Sequence, residues 1–138
     1  MASVPDCAET MVGCCTVDDI VRARGLAPDL MKIDVEGTED EVLRGARVTI
    51  ERHEPLIIAE VLSEFDGERY DFGARIADAL GRSGYRFLHI GAAGFTEAAI
   101  PSGRPDGRNW ALVRRVSHLR MLREFAEHSG LFFRSLRS

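Results

Sequence analysis

Asp29-Leu30-Met31-Lys32-Ile33-Asp34-Val35-Glu36-Gly37-Thr38-Glu39 sets charged side chains inside and beside a short apolar run. A parallel strand buried on both faces reads as nearly continuous Val, Ile and Leu, so ionisable groups at its end need a cause, and a ligand site supplies one. The run predicts a buried strand over 30–35, and Gly37 permits the tight turn out of it. Thr38 and Glu41 have the S/T-x-x-E spacing of a capping box, so a helix is expected from Glu39 to about His53. Leu43, Ala46 and Ile50 fall along one face of it, with Val42 beside them, and Pro55 stops it.

Upstream, Met1 to Thr10 is a polar lead-in, Met11 to Cys15 reads as a short strand, and Thr16 caps a helix that Gly25 and Pro28 end. Downstream, Leu56-Ile57-Ile58-Ala59-Glu60-Val61 is a second apolar strand with a carboxylate near its end. Asp71 is placed to cap a helix with Ile76, Ala77 and Leu80 inward and Gly84 as its C-terminal glycine. Tyr85 to Ile90 reads as a third strand, residues 100–109 as turns, and Trp110 to Val113 as a fourth strand in an antiparallel hairpin with the third. Strands alternating with helices of this length predict an α/β layered sheet with right-handed crossovers. The expected organisation is a lead-in over 1–11, a sheet portion over 12–115 and an amphipathic helical tail over 116–138, broken near Gly130.

With 138 residues, 45% apolar and 29% charged, the chain has the makeup of a soluble globular domain. A net charge of −4 offers no broad attraction to nucleic acid or to an anionic membrane, and no apolar run spans a bilayer. The expected setting is cytoplasmic, without nucleic acid or membrane partners. After Gly103, 8 arginines face 3 acids, the pattern of a solvated helix face or, less often, of a docking surface for a phosphate or an acidic partner. Cys7, Cys14 and Cys15 are odd in number and lack C-x-x-C spacing, which favours reduced thiols.

Ligands of open α/β sheets bind beyond the carboxyl ends of the strands. There, Lys32, Asp34 and Glu36 would share one side of an extended strand, and Glu60 would end its neighbour. Such a group can bind a cation, hold a divalent metal or accept a proton from a hydroxyl. The bland alternative has Glu36 and Glu39 capping the next helix while Lys32 neutralises Asp34. No nucleotide-binding glycine loop, zinc motif or complete nucleophile elbow is present. His53, His89, His118 and His128 are scattered and read as surface or satisfied histidines, with His89, near a strand end, the one exception to weigh.

Thr16-Val17-Asp18-Asp19-Ile20, Lys32 to Glu39, Val42-Leu43-Arg44-Gly45-Ala46, Pro55 to Glu60, Gly84-Tyr85 and Asn109-Trp110-Ala111-Leu112 together resemble the FkbM family of S-adenosylmethionine-dependent methyltransferases. The resemblance covers roughly residues 12 to 115. It implies a Rossmann-like class I methyltransferase sheet, here the equivalents of strands four to seven, and O-methylation of a sugar or natural-product hydroxyl. It further implies Asp34, Glu36 and Glu60 as catalytic groups and Lys32, Asp34 and Gly37 at the cofactor. No dedicated metal ligands are assigned, although a magnesium site on Asp34, Glu36 and Glu60 is a weaker alternative. The family's first three strands and its glycine loop would precede Met11, so the expectation is a truncated half-domain, inactive alone. The exposed strand edge would then be covered by a protein partner or a second copy. The competing reading is a non-catalytic remnant or interaction module that uses that edge and the tail helix.

Overall fold

The computed structural model describes residues 10–62, 64–65, 68–69, 71–92, 94–102 and 108–129. Cys7, Gly130 and the apolar residues of 131–136 lie outside them, as do residues 103–107 of the expected turn region. In chain order the elements are α1 (Val17–Arg24), β1 (Leu30–Ile33), α2 (Glu39–Arg44), α3 (Arg47–His53), β2 (Leu56–Glu60), β3 (Glu64–Phe65) and β4 (Glu68–Arg69). They continue with α4 (Phe72–Leu80), β5 (Arg86–Gly91), β6 (Gly94–Ala98), β7 (Asn109–Val113) and α5 (Val116–Ser129). Five strands form one mixed sheet in the order β1-β2-β7-β5-β6, and β3 with β4 forms a small hairpin. β1 and β2 run parallel, whereas β7 is antiparallel to both β2 and β5.

Both faces of the central strands are covered, which is why they carry so little polar sequence. The strand expected to be buried over 30–35 is instead the edge strand β1, where Leu30 is exposed and only Ile33 is buried, because no strand covers its outer side. Ile57, Ala59, Trp110, Leu112 and Phe87 point to the side packed by Leu43 of α2, Ile50 of α3 and Ile76 of α4. Leu56, Ala111, Val113 and Leu88 point to the other, against Leu122 and Ala126 of α5. The period-two alternation of the strands thus divides the core between two helical layers.

The expected single helix over 39–53 is two helices, α2 and α3, parted at Gly45–Ala46. Asp18 causes the break: its carboxylate accepts from the backbone N–H of Val48 and Thr49 and from the Thr49 hydroxyl, capping α3 from outside. Gly45 O in turn accepts the Asp18 N–H at 2.9 Å. Partial burial pushes Asp18 up, but the bonds from Thr49 and Val48 outweigh it and hold the carboxyl below its ordinary range.

Thr38 forms no capping box, since its side chain makes no cap hydrogen bond and its hydroxyl instead donates to Val35 O. Residues 11–15 are not a strand. Met11 and Val12 are exposed and find no neighbour in the sheet. Asp71 does cap α4, accepting from Ala74 N, but the C-terminal glycine is Gly81 rather than Gly84. β5 pairs antiparallel with β7 as expected, but its hairpin partner is β6. β6 escaped sequence reading because it is an edge strand whose only fully buried large side chain is Phe95.

α5 is tied to the sheet by a histidine. His118 is 3% exposed, and its Nδ1 accepts the backbone N–H of Arg114 and Arg115. Burial, then the Arg115 charge, pushes His118 below the ordinary histidine value. The folded state therefore refuses a proton that the unfolded chain accepts, so stability is full above the ordinary value of 6.5 and is lost as pH falls below it. Urea unfolding at pH 7.5, 6 and 5 should show this loss, and His118→Leu should flatten it.

Candidate active site

The register brings the carboxylates together. Ile33 pairs with Ala59 across the parallel strands, so the next residue on each, Asp34 and Glu60, meet at the strands' C-terminal ends. On the far side of β2, Glu60 pairs with Asn109 of β7. β1 ends at Ile33 rather than Val35, so strand alternation does not carry Glu36 to the same side as Asp34. A turn does so instead: Glu36 takes a left-handed conformation at φ 54°, and Gly37 follows at φ 103°. One carboxylate oxygen each from Asp34, Glu36 and Glu60 lie within 4.8 Å of one another.

The turn has its own clamp. Glu39, 1% exposed, accepts the backbone N–H of Val35 and of Gly37 through Oε1, both at 3.2 Å, while its buried Oε2 has no hydrogen-bond partner. Gly37 is buried, and a Cβ there would stand 2.9 Å from the Phe72 ring, so α4 packs directly on the turn. Glu39→Ala should cost about 2–3 kcal/mol in urea unfolding by stranding those two N–H groups. Glu39→Gln, which keeps an acceptor oxygen, should cost less than half of that.

Lys32 reaches across the end of β2. Its Nζ lies 3.0 Å from Asp34 Oδ2 and 3.4 Å from Asn109 Oδ1, on a strand two places away in the sheet. The ion pair is half exposed on both sides and contributes little to stability. It separates the two acids, however. The hydrogen bond from Lys32 and then its charge hold Asp34 below the usual carboxylate range. Burial, followed by repulsion from Asp34 and a hydrogen bond to it, raises Glu60, with Glu36 adding to the effect. Arg108, 3.9 Å from Glu60 Oε1, offsets only part of that rise.

Asn109 and Arg108 join the site without any role foreseen from sequence, because only the β2–β7 register places them there. His89 does not join it. It is buried inside β5, with its ring centroid 5.1 Å from that of Trp110. The three carboxylates form a hard oxygen set suited to a divalent cation, to an ammonium or sulfonium group, or to a hydroxyl proton.

The fold and this rim define an α/β-sheet protein with an acidic cluster at the C-terminal ends of two parallel strands. Residues 8–87 match the family model described as the methyltransferase FkbM domain, and the chain belongs to that family. No curated protein and no solved structure matches it. Among the described residues no helix is long and apolar enough to cross a membrane.

Proposed function

We propose that the chain forms the acceptor side of an S-adenosylmethionine-dependent O-methyltransferase, acting on a hydroxyl of a sugar or natural product. We read β1, β2, β5 and β7 as equivalents of the fourth to seventh strands of a Rossmann-like class I sheet. The observation that carries the proposal is the meeting of Asp34, Glu36 and Glu60 within 4.8 Å at the C-terminal ends of two parallel strands.

The chemistry of this donor set fits the cationic methionine portion of S-adenosylmethionine, with Asp34 toward its ammonium or sulfonium and Lys32 toward its carboxylate. When bound, the cofactor supplies an electrophilic methyl group. The protein's own work is to orient the acceptor hydroxyl and remove its proton. Asp34, held ionised by Lys32, is a weak base and a good hydrogen-bond acceptor for positioning. Glu60, raised toward the working pH, is the better proton acceptor, and Glu36 closes the group from the third side. Holding the acceptor oxygen in attack geometry would supply most of the rate.

Titration calorimetry with S-adenosylmethionine and S-adenosylhomocysteine tests the reading. Saturable heat, weakened by Asp34→Asn, is the expected result. Absence of heat at millimolar ligand would favour a protein-interaction role.

A further inference from the structure

A cleft lies on the rim of the sheet opposite the carboxylates. It encloses about 650 Å³ between α3 and the C-terminal end of α4, and Arg44, Arg47, Arg82 and Arg114 line it. Arg114 follows Val113 at the far end of β7 from Asn109, the residue opposite Glu60, so a five-residue strand, about 15 Å, separates this cleft from the carboxylates. Four arginines stand there beside Glu51 and Asp78. Arg44 is held by Asp78 at 2.9 Å, Arg47 by Glu51 at 3.3 Å and Arg114 by Glu54 at 3.2 Å, which fixes three guanidinium groups in place. Among the described residues Arg82 has no ion-pair partner. The neighbouring Ser83 Oγ is buried and has no hydrogen-bond partner.

We propose that this cleft binds the phosphoryl group of a phosphorylated small molecule. A phosphate monoester carries close to two negative charges at neutral pH, and Arg82, the lining guanidinium that no acid engages among the described residues, would meet them. Guanidinium forks suit its oxygens, and the Ser83 hydroxyl would donate to one of them. The volume is that of an ordinary small-ligand site, large enough for a sugar phosphate or a nucleotide. The site is independent of the acidic rim and of the methyl-transfer reading.

Inorganic phosphate and pyrophosphate, each compared with sodium chloride at equal ionic strength, are the probes, followed by backbone amide NMR of the full chain. Saturable shifts centred on Gly81, Arg82 and Ser83 are expected. Arg82→Glu should weaken binding about tenfold or more, and Ser83→Ala about threefold, with unfolding midpoints unchanged. Arg120→Glu, on α5 outside the cleft, should leave affinity unaltered. Shifts reproduced by chloride, centred elsewhere, or insensitive to Arg82→Glu would overturn the proposal.

Discussion

In an assembly competent for transfer, Glu60→Gln should lower methyl transfer by about 10²–10⁴-fold, the usual contribution of a positioned general base, while making the folded chain more stable at neutral pH. The two effects have opposite signs for one reason. Glu60 titrates above its ordinary value of 4.5 in the folded state, so ionising it costs folded stability as pH rises past that value, and above the folded value the whole cost is present. An amide removes that cost together with the base. A transfer assay and urea unfolding at pH 7.5 on the same variant would separate this outcome from simple misfolding, in which activity and stability fall together. Unchanged transfer would remove Glu60 from the proton-accepting role.

Gly73→Ala should produce the largest loss of stability of any single methyl addition in the described chain. Gly73 lies in the first turn of α4, buried, and an added Cβ would coincide with the Pro101 carbonyl oxygen. Unlike a flexible side chain, that backbone cannot give way locally. Pro101 is itself buried, and the next residue, Ser102, accepts the Trp110 Nε1 hydrogen bond at 3.0 Å. Overpacking of a core usually costs about 1–3 kcal/mol, and a backbone overlap belongs at or beyond the upper end. A fall in Tm of about 10 °C or more is expected from calorimetry. A variant as stable as the parent would show that the segment at 100–102 does not rest on α4.

Much of the architecture was open to reading because both sheet faces are buried. The apolar runs at Leu56 and Trp110 have no use outside a covered sheet, whereas the run at Leu30, expected to be buried, is an edge strand in which only Ile33 is; Asp71 is a cap wherever a helix follows it. What sequence could not show was tertiary in origin. The division of α2 from α3 depends on Asp18 arriving from α1, and β6 is a half-exposed edge with too few apolar residues to announce itself. At the site, Asp34 and Glu60 were visible because each ends an apolar run. The grouping with Glu36 was expected for the wrong reason, alternation along a strand rather than a left-handed turn clamped by Glu39. Asn109 and Arg108 carried no local signal, since an antiparallel register seats them beside Glu60.

Carboxyl-carbon NMR titration of Glu60 in the parent chain and in Asp34→Asn tests the shared site most directly. A midpoint above 4.5 that falls when Asp34 becomes neutral is the result expected of acids meeting at one rim. A midpoint at or below 4.5, indifferent to Asp34→Asn, would contradict it.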